Sequence, residues 1–276
     1  MRRLDRQAIA RRALDELAID APIHVTRAGG EAHAIANQAA NDGVDTVVAW
    51  GGDGTVNEIA RALAFTNTAL AIVPGGSGNG LARELAIQFK PEAGLRQALT
   101  GSLRRIDVGE IAGRLFFNVA GIGLDARVAT RALTVRVRRG FTTYMLAMWR
   151  ELLRRAPIEY DILADGRALH GHALVIALAN SRQYGYKTQV APGARLDDGE
   201  LQLVIVDNRS FIGNARRLPF VFTDAFDRQP GVTTLPLREG TFRFQGAVPL
   251  HVDGEPMEAD PSFIARVHPG ALSVRI

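Results

Sequence analysis

Two glycine-rich turns, each following a short apolar run and each opening a helix-like segment, limit what this 276-residue chain can fold into. In the first, Val47-Val48-Ala49-Trp50 runs into Gly51-Gly52-Asp53-Gly54-Thr55-Val56-Asn57. In the second, Ala71-Ile72-Val73 runs into Pro74-Gly75-Gly76-Ser77-Gly78-Asn79-Gly80, with Leu81-Ala82-Arg83 behind it. Apolar runs bounded by glycines read as buried strands. Glycines let a backbone approach a phosphate with its N–H groups turned inward, and the helix behind presents its positive end. Thr55 and Asn57 add side-chain donors, Thr55 also suits a helix cap, and Asn79 suits the cap of the second helix. Asp53 is unusual, since an acid repels phosphate. It serves either a metal or cationic group lying between them, or the backbone amides of a tight turn. Two such loops after neighbouring parallel strands face each other at the carboxyl end of the sheet, where open α/β sheets take their ligands.

The surrounding pattern supports that sheet. Residues 4–18 read as an amphipathic helix, Ile23–Thr26 as a short strand and Glu31–Asn41 as a helix. Asp45–Trp50 and Leu70–Val73 read as strands, with helices over Val56–Phe65 and from Leu81. This alternation implies a parallel sheet flanked by helices. After about residue 101 the pattern turns to short strands: Ile106–Ile111, Leu115–Ala120, Glu159–Leu163, Ala173–Ala179, Leu201–Val206, Phe242–Gln245, Pro249–Val252 and Phe263–Val267. Their Gly, Pro and Asp turns suggest an antiparallel sandwich. The expectation is two domains: an α/β domain over 1–101, completed by the C-terminal segment about 265–276, and a β-sandwich over 102–264.

Several chemistries are excluded. There is no cysteine, so no disulfide, thiolate metal site or cysteine nucleophile. A P-loop needs Gly-Lys-Ser/Thr, and the lysines are Lys90 and Lys187 alone. Gly121-Ile122-Gly123-Leu124-Asp125-Ala126 resembles a dinucleotide fingerprint but lacks the downstream acid. The six histidines show no metal spacing. No signal peptide or membrane-spanning apolar stretch is legible, so a cytoplasmic protein is expected. From Arg127 to Arg155 eight arginines face one acid, Glu151. Within that stretch Phe141–Arg155 reads as a helix with aromatic and apolar residues among arginines. It suits either core packing with a solvated basic face or contact with an anionic membrane at its inner face. Nucleic acid is not an expected partner, and the sequence carries no sign of oligomeric state.

Phosphoryl transfer needs a base for the acceptor hydroxyl and a metal to offset phosphate charge. Asp53, Asp125, Asp198 and Glu255 are the acids available, although Asp197-Asp198-Gly199 and Asp253-Gly254 also suit plain hairpin turns. Taken in order, Gly51-Gly52-Asp53-Gly54-Thr55, Pro74 to Arg83, Asn118 to Ala126, Ala191 to Glu200 and Asp253-Gly254-Glu255-Pro256 resemble the motifs of the diacylglycerol kinase catalytic-domain family, in particular its bacterial lipid kinases.

The resemblance implies an N-terminal NAD kinase-like α/β domain and a C-terminal β-sandwich domain, with the active site in the cleft between them. It implies ATP bound by Thr26, by Gly51, Gly52, Asp53, Gly54, Thr55, Val56 and Asn57, and by Ser77. It implies a largely structural Mg2+ held by Asp198 with the carbonyls of Arg195 and Glu200, Glu255 as general base, and Asp53 and Asp125 among the catalytic acids. The substrate would be a membrane lipid, diacylglycerol or a related alcohol; an NAD kinase-type enzyme, a sphingoid-base kinase and a non-catalytic remnant are the alternatives. The family opens with a strand and an Asn-Pro loop; here Met1 leads directly into a helix, so a sheet lacking that strand is expected.

Overall fold

The computed structural model describes residues 5–134, 150–151, 157–185 and 188–276. The chain forms two compact units, one of residues 1–106 with 271–276 and the other of residues 107–270.

The first unit runs α1 (Arg6–Glu16), α2 (Glu31–Asn41), β1 (Thr46–Gly51), α3 (Asp53–Leu63), β2 (Ala69–Pro74), α4 (Gly80–Glu84) and α5 (Pro91–Thr100). β1 and β2 pair in parallel from Thr46↔Ala69 to Gly51↔Pro74. The end of the last strand joins β2 on its other side, Val274↔Leu70 and Arg275↔Ala71. β2 is therefore central, which explains its unbroken apolar run from Ala69 to Val73. Ile9, Ala10 and Ala13 of α1 pack with Leu95 and Ala98 of α5 against Ala71 and Val73. Ile23–Thr26 joins no ladder. Val25 is 59% exposed, so the segment has little apolar surface to bury as a strand.

The second unit begins within β3 (Leu103–Ile111) and continues through β4 (Arg114–Phe116), β5 (Val119–Gly123), α6 (Leu124–Thr134), β6 (Ile158–Ala164), β7 (Arg167–Ala179), β8 (Gln183–Gly185), β9 (Thr188–Gln189) and β10 (Leu201–Asp207). It ends with α7 (Phe211–Arg217), a 3-10 turn (Leu218–Phe222), β11 (Val232–Leu237), β12 (Glu239–Phe244), β13 (Val248–Val252), β14 (Glu255–Ala259) and β15 (Ser262–Arg275). The long β7 serves two neighbourhoods. Its first half pairs with β6, which continues to β12 and β15; its second half pairs with β5 and β10. The two layers enclose a core of Phe116, Ile122, Ile162, Ile176, Phe242 and Leu250, with the Phe242 and Phe263 rings stacked at 5.6 Å. The mixed α/β first unit and the β-sandwich second unit match the expected fold class.

One local expectation changes. The single strand foreseen over Leu115–Ala120 is two, β4 and β5, because the amides of Phe117 and Asn118 are donated to a carboxylate and not to a ladder. β5 pairs antiparallel with β7 and β13, so the fingerprint-like glycines at 121 and 123 are not part of a parallel dinucleotide-binding unit. Of the basic helix read over Phe141–Arg155, all but residues 150–151 lies outside the described residues.

Glu110 on β3 is clamped by β15. Arg266 donates to it through Nε and NH2, both at 3.2 Å, and His268 Nε2 lies 2.6 Å from Oε2. The Arg266 hydrogen bonds hold the Glu110 carboxyl below its usual value, with His268 assisting and partial burial opposing. A carboxyl lowered in the folded state stabilises above its unfolded pKa, and that stabilisation is lost as the pH falls through the folded value. The Glu110→Gln protein should therefore melt below wild type at neutral pH. The gap should begin to narrow as the pH falls below about 4.3, the ordinary glutamate value, and close only below the lowered folded value, where both states are protonated. A gap independent of pH in thermal melts would rule out this linkage.

Candidate functional site

In the first unit, the two glycine loops meet. The Gly75 amide extends the β1–β2 ladder by donating to the Gly51 carbonyl at 2.7 Å. One residue further, a Cβ on Gly76 would lie 2.6 Å from the Gly52 Cα, so only glycine allows the backbones this close. Asp53 then ties the loops together: Oδ2 accepts from the Asn79 amide at 2.9 Å and Oδ1 from the Gly80 amide at 2.8 Å. Of the two roles weighed for this acid, the structure shows the second. Asn79, at φ 54, closes its own turn by accepting from the Gly76 amide and donating to the Gly76 carbonyl. Its side chain makes no cap bond to α4; Asp53 takes that place.

The first helical bond of α3 is Val56 N–H to Gly52 carbonyl at 3.1 Å. The amides of Asp53, Gly54 and Thr55 thus stand ahead of the helical ladder, at the positive end of the dipole. Gly52 occupies the cap position with no side-chain bond, which corrects the expectation that Thr55 caps this helix. Gly54 is exposed with nothing near its Cβ position, and Ser77 is exposed at the crest of the second loop. The result is a concave run of main-chain donors suited to an anion. Two arginines brace its outer side. Arg83 Nε donates to the Gly78 carbonyl at 2.9 Å, and Arg6 NH2 to the Gly75 carbonyl at 3.2 Å.

Not every assigned nucleotide residue lies on that surface. Gly52, Asp53, Gly54, Thr55 and Ser77 do, while Gly51 is buried at the end of β1. Asn57, at 4% exposed, and Val56 are buried in the first turn of α3, so the Asn57 side chain is not a surface donor as expected. Thr26 is exposed in the segment before α2, and Glu58 of α3 accepts from the Gly30 amide at 3.0 Å to tie that segment down.

In the second unit, Asp253 organises a turn. Its Oδ1 accepts from the amides of Asn118 at 2.9 Å and Val119 at 3.0 Å, and its Oδ2 from Phe117 at 2.9 Å. Burial pushes its carboxyl up, against the pull of the three amides and of His251. Two residues on, Glu255 opens β14 and is exposed. Asp125, buried at the start of α6, holds the Ala126 amide with Oδ1 and faces His251 Nε2 with Oδ2 at 3.3 Å. His251 Nδ1 accepts from the Gly254 amide at 3.3 Å, which assigns the ring proton to Nε2 and so to Asp125. A Cβ on Gly121 would collide with both partners, so the glycine makes room for the pair.

Asp198 lies elsewhere in this unit, in the turn before β10. It accepts from the Glu200 amide at 3.2 Å, while Arg195 pairs with Asp197 and Glu200 with Arg238. Partial burial holds the Asp198 carboxyl above its usual value, and the Asp107 and Glu200 carboxylates add to that. Asp107 is the hub: it accepts from the amides of Gly199 and Gly270, both at 2.7 Å, and donates its own amide to the Leu196 carbonyl. No group of three His, Cys, Asp or Glu side chains converges on a metal position among the described residues. The assigned set of one carboxylate and two main-chain carbonyls, beside two further acids, still fits an oxygen-seeking divalent cation in donor type and charge. Asp107, His251 and Arg6 were missed from the sequence. His251 carried a signal, a lone polar residue inside the apolar strand β13.

Residues 4–111 match the diacylglycerol kinase catalytic domain, and residues 118–276 match the YegS C-terminal NAD kinase beta sandwich-like domain. The chain is 32% identical over 256 residues to "Probable lipid kinase YegS-like" of Chromohalobacter salexigens, covering 91% of this chain and 82% of that protein. It is 29% identical over 266 residues to the protein of that name from Citrobacter koseri, covering 94% and 87%. A diacylglycerol kinase structure from Bacillus anthracis superposes with a TM-score of 0.72 at 19% identity, covering 96% and 90%. An NAD kinase from Archaeoglobus fulgidus, solved with ATP, superposes at 0.58 and 12% identity, covering 99% and 90%.

Proposed function

The chain belongs to the diacylglycerol kinase catalytic-domain family of YegS-like lipid kinases, and from that membership we propose that it transfers the γ-phosphoryl group of ATP to a hydroxyl of diacylglycerol or a related lipid alcohol. The observation that carries this reading is the locked pair of glycine loops in the first unit, with the Asp53–Thr55 amides ahead of the α3 ladder. A triphosphate needs many short donors and no lysine if backbone amides and a helix end supply them.

In this reading Gly52, Gly54, Thr55 and Ser77 bind the phosphates, and Asp53 keeps their two loops in register. Glu255 accepts the proton of the lipid hydroxyl as that oxygen bonds to the γ-phosphorus, and the bond to the β-phosphate oxygen breaks to release ADP. Asp125, oriented by His251, belongs to the acidic group of the same unit. A divalent cation held by Asp198 and the carbonyls of Arg195 and Glu200 would offset the negative charge gathered there and fix that turn; Mg2+ also accompanies ATP as its counter-ion.

The test is a panel assay with labelled ATP and Mg2+ over diacylglycerol, sphingoid base and NAD, with products separated by chromatography. Label in a lipid product is expected, and Glu255→Gln should lower kcat by about 10²–10⁴-fold, the usual worth of a general base. Label in NAD with none in lipid would overturn the lipid assignment, and unchanged turnover in Glu255→Gln would remove the base.

A further inference from the structure

Residues 207–231 of the second unit carry charge and apolar surface that neither the core nor the proposed chemistry uses. The segment is well built. Ser210 caps α7 by accepting from the Gly213 amide at 3.2 Å, and the buried Asn214 holds Arg209 by accepting from its amide and donating to its carbonyl. Arg217, at the end of α7, is 5% exposed. Its NH1 donates to the Asp207 carbonyl at 2.9 Å, while its NH2 has no hydrogen-bond partner. Buried polar groups are ordinarily paired, so this one points to an acceptor that the protein itself does not supply.

The neighbour of that nitrogen is a second guanidinium. A Cβ on Gly231, which adopts φ +76, would lie 2.6 Å from Arg217 NH2 and 2.6 Å from Arg209 Nε. Both guanidinium groups thus pack against Gly231, two like charges close together. Burial and then Arg209 lower the Arg217 pKa, with Asp207 opposing. Arg209 is exposed, so the pair reaches the surface through it. The same segment also exposes apolar side chains: Ile212 on α7 is 63% exposed, and Phe220 and Phe222 on the adjoining 3-10 turn are exposed as well. Arg216, exposed one turn after Ile212, adds a further positive charge.

We propose that this face docks on an anionic phospholipid bilayer, with a headgroup phosphate seated between Arg209 and Arg217 and with Ile212, Phe220 and Phe222 entering the headgroup boundary. A phosphate oxygen supplies the missing acceptor, and two guanidinium forks take its remaining oxygens in charge-assisted bonds. Apolar and aromatic side chains beside arginines are what a surface-bound segment presents to an anionic leaflet. A free phosphate would satisfy the arginines but leave the exposed isoleucine and rings without a role. The proposal does not depend on the nucleotide reading.

Sedimentation of the full chain with phosphatidylglycerol vesicles, with phosphatidylcholine vesicles and with inorganic phosphate as free-anion control tests it. Wild type should bind phosphatidylglycerol vesicles and be released by salt. Arg209→Gln should weaken that binding about fivefold, the worth of one cation at an anionic surface. The double variant Ile212→Ser/Phe220→Ser should weaken it at least about tenfold through lost apolar burial. All of these positions are on the surface, so matching thermal melts would show that both variants fold. Wild-type affinity in both variants would overturn the proposal. So would phosphate stabilisation that depends on Arg209 alongside vesicle binding that does not, since the arginine pair would then serve a soluble anion.

Discussion

Asp53→Ala is expected to lose ATP binding and lipid phosphorylation together, with kcat/KM falling by about 10²–10⁴-fold while the chain stays folded. The estimate follows from two charge-assisted hydrogen bonds worth about 1.5–3 kcal/mol each, to the Asn79 and Gly80 amides. Without them nothing fixes the second loop against the first, although Gly76 and Gly52 still fit together. The decisive comparison is Asp53→Asn. A carboxamide keeps one acceptor oxygen, so a purely positioning acid predicts activity between alanine and wild type. Activity as low as that of alanine would show that its charge is needed as well. Calorimetric titration with ATP separates loss of binding from loss of turnover, and wild-type affinity in Asp53→Ala would end the loop-locking account.

The largest effect on stability belongs to Asp253→Ala. Three amides, those of Phe117, Asn118 and Val119, lose their acceptor at once. Allowing for water reaching part of this half-buried turn, the cost is about 3 kcal/mol, and the transition of the second unit should fall by roughly 6–12 °C. Asp253→Asn should cost less, since its oxygen still accepts, but its NH2 would face a donor. Because the same turn carries Glu255 and the Gly254 amide that orients His251, activity should fall further than stability alone requires. A melt within one degree or so of wild type would refute the role given to Asp253.

Both loops were readable because glycine is informative: a run of it after a buried strand admits few backbones. α2 was foreseen to the residue, and β1, β2 and α3 to within a few residues, since apolar periodicity and breakers mark them. What the loops do with Asp53 was not legible. A carboxylate serving amides of residues 26 and 27 positions downstream in sequence looks the same as one awaiting a metal. The Asp253 cluster was hidden for the same reason, as Asp-Gly is also a common turn. The break between β4 and β5 could not be seen, because apolar residues continue through Phe117 and only the amide acceptors change. β14 and α7 were missed because Glu255–Ala259 and Phe211–Arg217 show neither clean alternation nor a full helical period.

The closing segment of β15 gives the first unit its third parallel strand, and residues 271–274 are buried there. Ser102 and Ile276 exchange backbone bonds at 2.8 and 2.9 Å to seal it. During synthesis, then, the amino-terminal half cannot fold to completion as it leaves the ribosome. Its sheet waits with an unzipped edge until the entire sandwich has been translated. Maturation of the glycine loops is thereby coupled to residues 271–276, and a chain lacking those residues would leave the first unit unfinished however intact its own motifs.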